Sequence, residues 1–158
     1  MKRVVLLIVG FVLIIFIFIL SFNGRADKVS FYGTYTFDEL IYLTAFSSST
    51  LDYANKAWED TKYTIESDLF KIENKDFNVE ISSPSYVKGD AQFDSSFLLF
   101  SEHIIQDMGV KYQYDIIDKD GNKTKWRLYV SPKYLFVASY NNTAKGSEII
   151  WEIAKLSR

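Results

Sequence analysis

Between Val4 and Phe22 the chain runs VVLLIVGFVLIIFIFILSF, nineteen residues without a charge. No other stretch restricts the structure as strongly. A helix of that length is about 28 Å long, close to the roughly 30 Å hydrocarbon core of a bilayer. Lipid offers the backbone no hydrogen-bond partners, so a single run of this kind spans as a helix. A helix in the core of a water-facing domain carries a polar stripe, and this run is apolar on every side. A cleaved secretory signal is the rival reading. Its apolar part is usually about 7–15 residues and ends at a small-x-small site. The nearest candidate here is Gly24-Arg25-Ala26, with an Arg at its centre. Length favours an uncleaved anchor. Lys2 and Arg3 precede the run, while Arg25 and Lys28 behind it are partly offset by Asp27. That bias predicts a single-pass cell-membrane protein with its amino end in the cytoplasm and the rest outside. The expected organisation is a cytoplasmic end and signal-anchor helix over 1–22, a juxtamembrane linker over 23–30 and one extracytoplasmic domain over 31–158.

With Lys2 and Arg3 set aside, the 18 Lys and Arg fall to 16 against 20 Asp and Glu, a net charge of −4. An acidic outer domain argues against nucleic acid and against adhesion to anionic headgroups. The chain has no cysteine, so neither disulfides nor a lipid-modified cysteine contributes. Packing must stabilise the domain. The material for it lies beyond the anchor, in 9 Phe, 11 Tyr and 3 Trp.

Two short stretches echo each other: GTYTFDELIYL at 33–43 and TKYTIESDLFKI at 61–72. With Ser67-Asp68 as a turn, Ile65 faces Phe70 and Tyr63 faces Ile72, all on one side of a hairpin. With Asp38-Glu39 at a corner, Phe37 faces Leu40 and Tyr35 faces Tyr42; a bent continuous strand is the alternative. In both copies the acids mark corners rather than a catalytic pair. Over 110–130, Asp118-Lys119-Asp120-Gly121 predicts a type I turn with Gly121 left-handed. That register pairs Tyr114 with Trp126 and Tyr112 with Leu128. FNVEIS at 77–82 alternates as a strand with Phe77, Val79 and Ile81 inward. YLFVASY after Pro132 is apolar on both faces, as a central strand is. EIIWEIAKL at 148–156 sets Ile149, Trp151 and Ile153 on one face and Glu148 and Glu152 on the other. Two stretches predict helices. In SSSTLDYANKAWED, Ser49 and Asp52 have capping-box spacing and Leu51, Ala54 and Trp58 share a side. In DSSFLLFSEHIIQDMG, Asp94 is the N-cap, Phe97, Phe100, Ile104 and Met108 form the stripe, and Gly109 ends it; its FLLF core reads equally as a strand. The fold class is therefore mainly β (α+β): an antiparallel curled sheet, barrel or sandwich, of seven to nine strands with two short helices behind a transmembrane helix.

Gly33-Thr34-Tyr35 resembles the Gly-x-Trp that opens the first strand of calycins, the lipocalin and fatty-acid-binding-protein group. The order of a first strand, a short helix near 50–59 and a meander of strands is also similar. The resemblance implies a barrel with a helical lid, an apolar ligand inside, and a basic residue near the end, Lys155 or Arg158, packed on the aromatic at position 35.

Chemistry-bearing patterns are sparse. His103 is the single His, in SEHIIQ, and no second His or Cys completes a transition-metal site. The Asp118, Asp120, Asn122 start of a calcium-type loop breaks at Lys123 and Tyr129. GxSxG and Gly-rich phosphate loops are absent. No catalytic residue, metal or cofactor is assigned. Asp52, Glu59, Asp60, Glu66 and Asp68 keep a carboxylate hydrolase as a third option. The leading expectation is a non-catalytic module binding an apolar or amphipathic small molecule through Tyr53, Trp58, Tyr114 and Trp126. The alternative is an interaction or structural domain that meets another envelope protein.

Overall fold

The computed structural model describes residues 31–90, 108–142 and 148–158. Its elements are β1 (Gly33–Leu43), α1 (Leu51–Trp58), β2 (Lys62–Ile65), β3 (Leu69–Glu73), β4 (Asn78–Ser82), β5 (Ser85–Asp90), β6 (Tyr112–Ile117), β7 (Lys123–Val130), β8 (Leu135–Asn142) and β9 (Glu148–Ser157). The nine strands form one antiparallel sheet in the order β4-β3-β2-β1-β9-β8-β7-β6-β5. First and last strands are neighbours, so the sheet is a meander folded back on itself. It is not closed into a barrel. β4 and β5 are its two edges, and no ladder joins them. The predicted anchor and the predicted second helix over 94–108 with His103 lie outside the described residues, apart from Met108 at its end.

The edges are nevertheless linked. Every neighbouring pair is antiparallel, and the strand count is odd, so β4 and β5 run in the same sense. Only Ser83 and Pro84 separate them. A crossover between parallel neighbours needs roughly a dozen residues or more. β5 must therefore continue β4 around a corner, pairing with β3 before it and with β6 after it. Ser83 takes the turn at φ 51° and donates its backbone N–H to the Asp68 carbonyl at 2.7 Å. Curling is equally plain in the core. Phe70 on β3 and Trp126 on β7 have ring centroids 6.2 Å apart. Across a flat sheet those strands would be about 24 Å apart, five strand spacings. Tyr86 at the start of β5 pins the seam, donating its hydroxyl to the Glu66 carbonyl at 3.0 Å.

The β2–β3 hairpin has the predicted register, Ile65 opposite Phe70 and Tyr63 opposite Ile72, all four fully buried. Its echo at 33–43 takes the alternative form, a continuous strand, and not the corner. That stretch is one strand, β1, paired with β2 through Gly33–Thr36 and with β9 through Thr36–Leu43. The ladder to β9 shifts between Phe37 and Glu39 and again between Leu40 and Tyr42. Asp38 and Glu39 therefore mark a bulge, where both meet Lys155, at 2.8 and 2.9 Å. Asn55 of α1 accepts the Leu40 N–H at 2.6 Å beside the second shift.

The β6–β7 turn forms as expected, with Gly121 at φ 84°. Its register moves. Ile117 pairs with Lys123, but Tyr114 then pairs with Leu128 and Tyr112 with Val130. Two extra β7 residues are absorbed between, and an even slip keeps each side chain on its expected face. β4 and β8 also match expectation: Val79 and Ile81 pack inward, and β8 buries both faces. In β9 the ladder skips Trp151, so the face changes there. Glu148 and Glu152, expected on one side, lie on opposite sides of the sheet. α1 starts one residue later than predicted, capped by Thr50, which accepts the Tyr53 N–H at 3.3 Å. Ala54 is buried beneath it, whereas Leu51 is exposed.

Candidate functional site

The inner face of the curl is where a barrel protein holds a ligand. Here it is filled. Tyr35, Tyr63, Ile65, Phe70, Leu128 and Val137, from five different strands, belong to one buried cluster. The inner polar groups are few. Ser139 donates to Glu152 across the β8–β9 ladder at 2.9 Å, and burial raises the carboxyl's pKa against the opposing pull of that bond and of Lys125. Tyr63 is 0 % exposed, and its hydroxyl has no hydrogen-bond partner among the described residues. Burial, then the nearby Glu152 charge, holds that phenol well above its ordinary pKa.

Of the four residues predicted to bind a ligand, Trp126 lies in the inner core cluster, Trp58 and Tyr114 pack against it, and Tyr53 lies outside it. Trp58 stacks on Tyr63 with ring centroids 6.4 Å apart and meets Phe77 edge-on at 5.0 Å. Trp126 lies against Phe70, and Tyr114 against Phe31 at 4.6 Å. Tyr53 points outward, 68 % exposed. Among the described residues no ring contact joins any two of the four. Helical spacing put Tyr53 near Trp58 in sequence, but the two leave α1 in different directions.

On the outer face, Arg127 organises a network across β6, β7, β8 and β9. Its Nε donates to Asp115 at 2.5 Å, one terminal nitrogen to the Tyr140 hydroxyl at 2.8 Å and the other to Glu148 at 3.4 Å. The Tyr129 and Tyr140 hydroxyls are also hydrogen-bonded to each other. Burial disfavours the guanidinium charge, and the two tyrosines and Asp115 outweigh it, so its pKa rises. Burial likewise pushes the Tyr140 hydroxyl up. With its donors engaged by the fold, this arginine stitches strands together.

A groove of about 920 Å³ runs between β1 and α1, lined by Thr36, Phe37, Asp38, Asn55, Lys56, Glu59, Asp60 and Lys62. Of the five acids kept for a hydrolase, Glu59 and Asp60 line it, together with Lys56 and Lys62. Next to it, the β1–α1 loop exposes Phe46 at 70 %. Sequence reading gave this loop no role, although TAFSSSTL at 44–51 is an uncharged run ending in the helix start. Among the described residues no group of three or more His, Cys, Asp and Glu is placed to hold a metal, and no helix is long and apolar enough to cross a membrane.

The contact implied for position 35 is present: the Arg158 guanidinium lies 5.4 Å over the Tyr35 ring. No family model, curated protein or solved structure matches the chain, so the contact attaches it to no family.

Proposed function

We propose that residues 31–158 are a non-catalytic protein-interaction domain, held at the outer face of a membrane by the Val4–Phe22 run. One observation carries this reading: the inner face is occupied by the protein's own side chains. Tyr63, Ile65, Phe70, Ile72 and Leu128 are all fully buried where a calycin-like barrel would hold an apolar ligand. Binding there would require the core to open, at roughly 2–5 kcal/mol for each large side chain displaced. Surface features remain as the means of recognition, namely the sheet edges unpaired among the described residues and the exposed apolar side chains. The bilayer length of residues 4–22 supports the tether.

Native mass spectrometry of the full chain, released from its own membranes in mild detergent, tests the proposal. A co-purifying protein is the expected result. A tightly held adduct of small-molecule mass, retained on dilution, would replace this reading with the small-ligand module.

A further inference from the structure

We propose that the tyrosine cluster at the start of β1 seats this domain on the zwitterionic headgroup layer of the membrane that holds it. The inference rests on the tether proposed for the Val4–Phe22 run and needs no protein partner. Rings from three parts of the chain meet in this cluster. Between ring centroids, Phe31 lies 4.8 Å from Tyr32, 5.2 Å from Tyr86 on β5 and 4.6 Å from Tyr114 on β6, and Tyr32 lies 5.8 Å from Tyr86. Tyr112 shares a face of β6 with Tyr114. The Lys88 ammonium lies 3.5 Å from the Tyr112 ring centre. Phe31 is buried, Tyr86, Tyr112 and Tyr114 are half-buried, and Tyr32 is 43 % exposed. The hydroxyls of Tyr32, Tyr112 and Tyr114 bond to no other described residue. Phenol rings packed on one another, with free hydroxyls and an ammonium among them, are the side chains that a membrane–water interface favours.

Chain length and charge select the occupant. Only residues 23–30 separate Phe22, the last of the apolar run, from Phe31 in the cluster. Fully extended, that connection reaches about 30 Å. The cluster is therefore the part of the domain that the tether enters. Its charges are of both signs. Lys88 and the exposed Lys111 are the cations. Glu66 and Asp68 bring negative charge to the Tyr86 hydroxyl from the β2–β3 turn, and Asp90 pairs with Tyr112 across the β5–β6 ladder. A zwitterionic headgroup carries a phosphate and an ammonium and offers each sign a partner. Anionic lipid would meet the three acids as like charges. An apolar protein pocket would strip water from all five groups without pairing them.

The test uses the full chain in phosphatidylcholine vesicles. The chain has no cysteine, so a single introduced one carries a fluorophore without interference. Three sites are labelled in turn: Thr34→Cys beside the cluster, Tyr53→Cys on α1 and Val12→Cys in the apolar run. Nitroxide on the lipid headgroup should quench position 34 several-fold more than position 53. Tyr32→Ser should bring position 34 down to the level of position 53. Because Tyr32 is exposed, Tyr32→Ser should melt with the parent; Lys88→Gln is the second variant should it not. Equal quenching at 34 and 53, or quenching at 34 that ignores both variants, overturns the proposal. Quenching at 34 that needs anionic lipid overturns the zwitterionic assignment. Shielding of position 34 from aqueous iodide without quenching by lipid, as a second copy or another protein would give, overturns it as well. Nitroxide on the acyl chain separates the two levels of inference. If it quenches position 12 while position 34 fails, the seat is lost and the tether stands. If position 12 is not quenched, both fall.

Discussion

Arg158 closes over Tyr35, its guanidinium 5.4 Å from the ring centre and one of its nitrogens donating to the hydroxyl at 3.1 Å. The same hydroxyl donates to the Phe31 carbonyl at 2.8 Å. One buried phenol therefore joins the lead-in to β1 with the residue that follows β9. Tyr35→Phe keeps the ring and removes both bonds, leaving the Phe31 carbonyl without this donor. It should cost about 1–2 kcal/mol. Arg158→Ala removes the guanidinium from the ring and keeps the inner bond to Phe31, and should cost less, about 0.5–1 kcal/mol. Urea denaturation of the full chain in detergent orders the two; a larger loss for Arg158→Ala would show that the guanidinium, and not the inner bond, fixes this corner.

Glu152 gives the domain an unusual pH response. Its carboxyl has a folded pKa raised by burial, so the native state holds its proton more tightly than the unfolded chain does. Its contribution to stability is greatest below the unfolded value of about 4.3 and is lost as pH rises through the folded value. Glu152→Gln keeps an acceptor for Ser139 and removes the charge. The variant should match the parent near pH 4 and exceed it in stability at pH 7, with the gap widening between. Melting curves across that range measure it, and a parent that gains on the variant as pH rises would reverse the assignment.

Local signals carried much of the fold, and long-range ones were invisible. The β2–β3 register followed from four apolar residues that agree with one turn, and β8 from an apolar run whose two faces are both covered. GTYTFDELIYL shows where that reasoning stops. Its second partner is β9, more than a hundred residues away, and bulges in that ladder replace the expected corner. Asp38 and Glu39 serve either purpose equally well in sequence. Glu152 was placed on the wrong face because the ladder passes over Trp151, and one skipped residue turns every later side chain over. The candidate site was harder still. Trp126 is buried, Trp58 is partly buried against the core and Tyr53 is exposed, yet composition gives an aromatic the same weight in each role. Phe46 lacked periodicity altogether, since it belongs to a loop.

Tyr63 offers a direct reading of the interior. Its hydroxyl is buried beside the Glu152 charge and makes no hydrogen bond among the described residues. A buried donor without a partner costs about 1–3 kcal/mol. Tyr63→Phe deletes the donor and keeps the ring that stacks on Trp58. It should stabilise the protein by about 1 kcal/mol in denaturant titration. Destabilisation of similar size would mean that a water or ligand group satisfies the hydroxyl, and would move the small-ligand reading ahead.

Arg127 should be the most sensitive polar position of the outer face. It is buried, and it serves Asp115, Glu148 and the Tyr140 hydroxyl at once. Arg127→Met preserves much of the stem and takes the buried cation from Asp115 on β6 and Glu148 on β9. Removing one partner of a buried pair costs about 3–5 kcal/mol; the partial exposure of Asp115 and Glu148 brings the expected loss to about 3 kcal/mol. Lys123, more exposed than Arg127, lies 3.5 Å from Asp115 and 2.9 Å from Glu148 and offsets only part of that loss. The double variant Arg127→Met with Asp115→Asn separates repulsion from lost packing. If the carboxylate left behind is the main penalty, the second change restores about half of the loss. If stability stays at the single-variant level, the cost lies in the stem and in Tyr140, and the network is a packing device more than an electrostatic one.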